Sequence, residues 1–116
     1  MDLDDAVKKH AEWKLKFRNA ISQKEKMDDA TISKDNCCML GQWLYGDGKQ
    51  KLGNHSEFTD VVSKHKEFHT AAGNVARLIN AGDYTGAEKA IGSGTTYADA
   101  SSSVGLAIQK LKRIAG

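Results

Sequence analysis

The sequence predicts an all-α fold, an antiparallel helical bundle resembling a four-helix bundle, with three long and two short helices. The composition favours helix almost everywhere, because the 116 residues include 14 alanines, 14 lysines and no proline. Apolar residues recur at steps of three and four in three long segments, which is the period of a helix with one buried face. Glycines lie between the segments, where they commonly end helices.

The first long helix is predicted over residues 4–26. Its apolar seam includes His10, which the helical period turns toward the core. The seam consists of Leu3, Val7, His10, Lys14, Phe17 and Ile21. Residues 27–33 are predicted to form a connection.

A short helix is predicted next, over residues 37–45. Asp35 or Asn36 is its expected N-cap, because both side chains can accept a hydrogen bond from the first turn. Glycines at positions 46 and 48 are expected to end it, and a loop is predicted from there to Gly53.

The longest helix is predicted over residues 55–80. Asn54 and Glu57 resemble a capping box at its start, and Gly82 is expected to end it. Its buried stripe contains Phe58, Val61, His65, Phe68, Ala72, Val75 and Ile79, and His69 lies beside it. Both His65 and His69 are therefore expected to face the core.

Two further helices complete the predicted bundle. Asp83 is expected to cap a short helix that ends at Gly92, and Thr95 to cap the last long helix. The stripe of that last helix consists of Tyr97, Ala100, Val104, Ala107, Leu111 and Ile114.

Length and charge limit the classes of function. A chain of 116 residues is expected to form one domain, and its abrupt start resembles a domain excised from a longer protein. The formal net charge of +2 and the scattered lysines argue against binding to nucleic acid. No apolar stretch is long enough for a membrane span or a secretory signal, and two adjacent cysteines do not make a disulfide framework. A cytosolic domain without membrane contact is therefore expected.

The inward histidines suggest a metal site in a core that is short of large apolar residues. Leu, Ile, Val and Phe number only 22 of 116. His65 and His69 are one turn apart on one face, which lets two imidazoles reach the same ion. His10 and a cysteine of the short second helix could complete a tetrahedral zinc site. Without a metal, the same histidines would be hydrogen-bonded core residues and the cysteine would only pack in the core. His55 is not a candidate ligand, because it is expected at the start of its helix, outside the middle of the bundle.

An enzyme is not expected. The segment from His65 to His69 is not the HExxH arrangement of zinc hydrolases, and Glu67 is turned away toward solvent. The Glu-x-x-His pairs of a di-iron bundle are also missing.

Three motifs in order resemble the chemoreceptor zinc-binding (CZB) domain family. They are His10-Ala-Glu-Trp13-Lys14 for HxxWK, Cys38-Met-Leu-Gly41-Gln-Trp43-Leu for CxLGxWL, and His65-Lys-Glu-Phe68-His69 for HxxFH. The resemblance implies the zinc ligands His10, Cys38, His65 and His69. It also places Asp35 at an acidic position before the cysteine.

The resemblance implies a sensory function as well. Members of the family are attached to bacterial chemoreceptors and diguanylate cyclases, where they are linked to sensing of zinc or hypochlorous acid, commonly as dimers. A homodimer is thus expected, because Tyr97, Trp43 and Val104 are expected to offer more apolar surface than one subunit can cover. A zinc bundle that serves only for dimerisation is the alternative.

Four more residues are candidates for tuning the site. Trp13 and Trp43 are expected to pack around it, and Asp35 and Cys37 to lie near it. Cys37 is expected to point about 100° away from Cys38 on the helix. Gly41 is expected to allow a close approach between helices.

Overall fold

The computed structural model describes residues 1–115 and confirms the all-α class. Those residues form eight α-helices and no strand. The helices are α1 (Leu3–Ala11), α2 (Trp13–Gln23), α3 (Asp29–Ile32), α4 (Met39–Tyr45), α5 (Asp47–Leu52), α6 (Ser56–Asn80), α7 (Tyr84–Ala90) and α8 (Thr96–Ala115).

Seven of the eight helices in the described chain form four arms of one bundle, and the short α7 lies between α6 and α8 in the chain and packs against α6 and α2. The first arm is α1 with α2, and α6 and α8 are two others. The remaining arm is built from α3, α4 and α5, and it runs back along α6, since Ile32 contacts His69 while Trp43 lies against Phe58. In the same way Asp4 at the start of α1 pairs with Lys112 at the end of α8. Neighbouring arms of this kind are antiparallel, as the bundle prediction requires.

The first long helix is interrupted once, which the prediction of one helix over residues 4–26 missed. Glu12 separates α1 from α2, although its backbone stays in the right-handed helical region. Hydrogen bonds from the Glu12 N–H to the Lys8 carbonyl and from the Lys16 N–H to the Glu12 carbonyl continue across it. The buried face therefore continues from Leu3 through Phe17, as the seam predicted.

The arm between α2 and α6 contains more helix than predicted. The connection expected over residues 27–33 contains α3, whose N-cap Asp28 accepts a hydrogen bond from the Thr31 N–H at 3.2 Å. The loop expected up to Gly53 contains α5. Both helices are a turn or two long, too short for a hydrophobic period to reveal them.

Two predicted N-caps are wrong and two are confirmed. The short helix begins at Met39 with Cys38 as its N-cap, not Asp35 or Asn36, and α6 has His55 rather than Asn54 in the cap position. The Asp83 side chain does accept from the Gly86 N–H. The Thr95 hydroxyl accepts from the Ala98 N–H at 3.2 Å.

The stripe predicted for α6 is buried throughout, whereas the other two long stripes are buried in part. On the first arm Val7, Lys14 and Ile21 are only half-buried. On α8, Ile114 is 39% exposed, while Ile108 is fully buried in its place. Gly82 ends α6 with a φ of +79°, a conformation that glycine adopts without strain. No helix among residues 1–115 is both long enough and apolar enough to cross a bilayer.

Candidate metal centre

Four side chains from three arms converge in the middle of the bundle. His10 lies in the last turn of α1, His65 and His69 lie one turn apart on α6, and Cys38 immediately precedes α4. One nitrogen of each histidine and the Cys38 sulfur lie within 4.8 Å of one another. The three histidines are buried, and Cys38 is partly exposed. The structure thus brings together all four residues that the CZB resemblance implied.

The distances fit a tetrahedral zinc ion. His65 Nε2 lies 3.1 Å from His10 Nε2 and 3.0 Å from His69 Nε2. The Cys38 Sγ lies 3.3, 3.7 and 4.0 Å from the Nε2 atoms of His65, His69 and His10. Tetrahedral bonds of ~2.0 Å to nitrogen and ~2.3 Å to sulfur place such ligand atoms roughly 3.3–3.6 Å apart. The four residues form a potential zinc-binding site.

Backbone carbonyls orient two of the imidazoles. His10 Nδ1 lies 2.7 Å from the Ala6 carbonyl oxygen, and His69 Nδ1 lies 2.8 Å from that of Ile32. A carbonyl can only accept, so both Nδ1 atoms donate and both Nε2 atoms present lone pairs to the cluster. Outer hydrogen bonds of this kind are typical of metal-ligating histidines. His65 Nδ1 is buried without a hydrogen-bond partner among the described residues.

Burial keeps the histidines uncharged. Desolvation lowers the pKa of His65 to about 3, with further lowering from His69 and His10. It lowers the pKa of His10 and of His69 as well, although the carbonyl hydrogen bond opposes it in each. Neutral imidazole is the form that binds a metal.

Desolvation has the opposite effect on the cysteine. It raises the pKa of the Cys38 thiol, while the backbone N–H of Gly41 partly opposes it. Without a cation in the cluster, Cys38 therefore keeps its proton at neutral pH. A thiolate ligand requires that proton to leave when a metal binds.

Gly41 positions Cys38, but not by the close approach of two helices that the sequence suggested. A Cβ atom on Gly41 would lie 1.7 Å from the Asp35 carbonyl oxygen. The chain before α4 folds directly over the helix, and only glycine leaves room for it. The Gly41 N–H also lies 3.3 Å from Cys38 Sγ. Gly41 thus makes room for the Asp35 backbone, and its N–H positions the Cys38 sulfur.

The other candidates lie around the cluster without joining it. The Asp35 carboxylate accepts a hydrogen bond from the Tyr45 hydroxyl. Cys37 is exposed, with its sulfur 3.5 Å from the Asn36 side chain. Its separation from Cys38 does not come from a helical turn, because both cysteines precede α4.

The two tryptophans occupy different places. Trp13 packs on Phe17 with ring centroids 5.5 Å apart, and it lines a cleft of about 460 Å³ that reaches His10 and Cys38. Trp43 packs against Phe58, at 6.1 Å. Trp13 is therefore beside the site, whereas Trp43 supports the start of α6.

Sequence reasoning gave no role at the site to Phe68 or Gly73, nor to the carbonyl groups of Ala6 and Ile32. Phe68 packs edge-on against His10 and His69, with centroids 5.3 and 5.5 Å away. Gly73 lets the end of α3 approach α6, since a Cβ there would lie 2.5 Å from the Ser33 Cβ. That approach places the Ile32 carbonyl against His69. The Ala72-Gly73 pair in the middle of a long helix was the available signal.

The geometry favours a closed site rather than a catalytic one. Four protein ligands fill a tetrahedral shell and leave no position for a substrate water. Glu67 is more than half exposed and lies 3.9 Å from Lys64, as expected for a solvated residue. His55 stands at the start of α6, outside the cluster.

Comparison with known proteins agrees with this geometry. A family model described as the chemoreceptor zinc-binding domain, CZB, matches residues 10–76. That range contains all four clustered residues. Neither the curated proteins nor the solved structures include a match.

Proposed function

The chain belongs to the chemoreceptor zinc-binding domain family, and on that premise we propose that it is the regulatory zinc sensor of a bacterial signalling protein. CZB domains are zinc-binding signalling modules rather than catalytic ones. The proposed parent protein is of the chemoreceptor or diguanylate cyclase type, and residues 1–116 form one zinc-binding sensory domain within it. The two free cysteines fit a reducing, cytoplasmic setting.

The convergence of ligands from three arms carries this proposal. His10, Cys38, His65 and His69 supply the ligands, and they come from α1, from the residue before α4 and from α6. Bound zinc supplies a crosslink between these segments and stabilises the thiolate. Loss of one ligand would free one segment from the others. An adjoining signalling domain could detect that movement.

Cys38 is the ligand that responds to an oxidant. A thiolate sulfur reacts with hypochlorous acid to give sulfenic acid and chloride, so that sulfur loses two electrons and chlorine gains them. The cleft beside Trp13 gives access to this sulfur, whereas the histidines are buried. Sulfenic acid is a poorer zinc ligand, so zinc would no longer link the start of α4 to the histidines of α1 and α6. This helix has seven residues and buries only Leu40, Gly41 and Leu44.

Metal content and oxidation test the proposal together. Elemental analysis should find about one zinc per chain. A slight excess of hypochlorous acid should then release zinc to a chromogenic chelator, with mass spectrometry locating the modification at Cys38. The Cys37→Ala variant is the matched control and should respond as the unaltered chain does.

Two other outcomes would change the assignment. Retention of zinc and of helix content after oxidation would indicate a structural dimerisation bundle, or a sensor of zinc alone. If the protein is purified with zinc available and is fully folded but contains no zinc, the site assignment is excluded.

The proposed assembly is a homodimer. Tyr97 and Val104 do not support it, because both are buried within one chain. Exposed apolar side chains do, including Leu15 and Leu106, each 60% exposed. Light scattering at micromolar concentration should give twice the chain mass, and a monomer mass over that range would refute the dimer.

A further inference from the structure

We infer that zinc, and the small molecules that remove it, reach the cluster through the cleft beside Trp13, and that the Met39 side chain in this cleft sets the rate of exchange. This inference rests on the proposed zinc site. It concerns how fast the site exchanges its metal rather than how tightly the metal is bound.

The cleft meets the cluster on the side of its sulfur. Its lining residues lie within 1–16 of the first arm and 38–40 at the start of α4. His10 and Cys38 both line it, whereas the two histidines of α6 do not. Cys38 is also partly exposed, while each of the three histidines is buried. A small molecule in the cleft therefore meets Cys38 and His10 before the other two ligands.

Other sides of the cluster are closely packed. The fully buried Phe68 ring lies 5.3 Å from the His10 ring and 5.5 Å from the His69 ring, between centroids. The Ile32 carbonyl oxygen lies 2.8 Å from His69 Nδ1. Larger clefts of about 630 and 500 Å³ in the described chain are lined by none of the four residues. Entry from these sides would require whole arms to separate and expose apolar surface to water, which is unfavourable.

Met39 can be replaced in the cleft with little effect on the fold. It follows Cys38 directly as the first residue of α4 and lines the cleft, yet it is 68% exposed. Its side chain is long, unbranched and flexible. A shorter side chain should therefore widen the passage, and a bulky ring should narrow it. A barrier in the passage slows entry and exit of zinc by the same factor, so the equilibrium affinity should not change.

Zinc transfer from the loaded chain to an excess of a chromogenic pyridylazo chelator measures the rate of exchange. Met39→Ala should speed the transfer and Met39→Trp should slow it, each by about fivefold, the change that ~1 kcal/mol in a barrier produces. Equilibrium competition with the same chelator should give the same zinc affinity for both variants and the unaltered chain.

Substitutions at Gln109 are the matched controls for this measurement. Gln109 is an exposed residue of similar length on α8, and it does not line the cleft. Both Gln109→Ala and Gln109→Trp should transfer zinc at the rate of the unaltered chain.

Alkylation of the metal-free protein tests the same passage without zinc. Iodoacetamide should modify Cys38 faster in Met39→Ala and more slowly in Met39→Trp than in the unaltered chain. The exposed Cys37 serves as the internal reference in each chain. Fragmentation of the labelled peptide in the mass spectrometer separates the two adjacent cysteines.

Two results would overturn the inference. One is a rate of zinc transfer or of Cys38 alkylation that neither Met39 variant changes. The other is a transfer rate that rises steeply with denaturant below the unfolding transition, because separation of the arms exposes surface and passage through a cleft does not. Either result with normal zinc binding leaves the proposed function intact. A chain that binds no zinc refutes the proposed function, and alkylation of Cys38 then still tests the cleft.

Discussion

Gly41→Ala should dislodge Cys38 while leaving the bundle folded. The new Cβ would lie 1.7 Å from the Asp35 carbonyl oxygen. Relief to an ordinary contact of roughly 3.5 Å requires a shift of about 1.8 Å. Zinc sites tolerate only about 0.2 Å in their bond lengths. The chain just before α4 carries the sulfur, so the displaced segment should no longer present Cys38 to the histidines.

The size of the effect follows from that displacement. Zinc affinity should fall by about 10- to 100-fold, the loss that is typical when a metal ligand loses its outer hydrogen-bond partner. The metal-free fold should lose only ~1–3 kcal/mol, typical of overpacking. The main buried stripes lie on α6 and α8, away from position 41.

Chelator competition and thermal melting of the metal-free protein measure the two effects. Gly105→Ala is the matched control, because a Cβ at that position in α8 meets nothing within 4 Å. It should leave zinc affinity unchanged and stabilise the helix by about 0.5–1 kcal/mol. Unchanged zinc affinity in Gly41→Ala would refute the reasoning.

Three other perturbations have clear expected outcomes. Cys38→Ala should weaken zinc binding strongly in a chelator titration while Cys37→Ala leaves it nearly intact, and the reverse order would exclude Cys38 as the ligand. Burial lowers the pKa of His65 to about 3, so below pH 6.5 the unfolded chain binds more protons than the folded one. The free energy of unfolding of the metal-free protein should therefore decrease as the pH is lowered, by about 2 kcal/mol between pH 7.5 and pH 5 from this residue. Denaturant titrations that give the same free energy of unfolding at both pH values would contradict this. Tyr97→Phe should raise the melting temperature, since the hydroxyl is buried without a partner in the described chain and its removal gains about 1 kcal/mol. A lower melting temperature would show that the hydroxyl has a stabilising role.

The sequence by itself determined the helical class and the inward face of the histidines. Both depend on local periodicity, because residues four apart on a helix share a face wherever that helix packs. This is why residues 55–80 predicted α6 within one residue of its observed start. The three motifs added the choice of Cys38 over Cys37 through the family resemblance.

Only the tertiary structure decided how the cysteine reaches the site. Cys38 was predicted inside a helix, but it stands before α4 as the N-cap. That position depends on the Asp35 backbone lying over Gly41 and on Gly73 admitting the end of α3. The second contact joins residues 40 positions apart, and the first depends on an irregular turn before α4, so no helical period encodes either of them.

The hydrogen-bond partner of each imidazole Nδ1 atom also could not be predicted from the sequence. The spacing of His65 and His69 placed both rings on one face, yet His69 meets the Ile32 carbonyl and His65 Nδ1 meets no acceptor. A ring's outer partner is set by the neighbouring arm that packs beside it. Tertiary packing therefore distinguishes two histidines that are equivalent in the helical pattern.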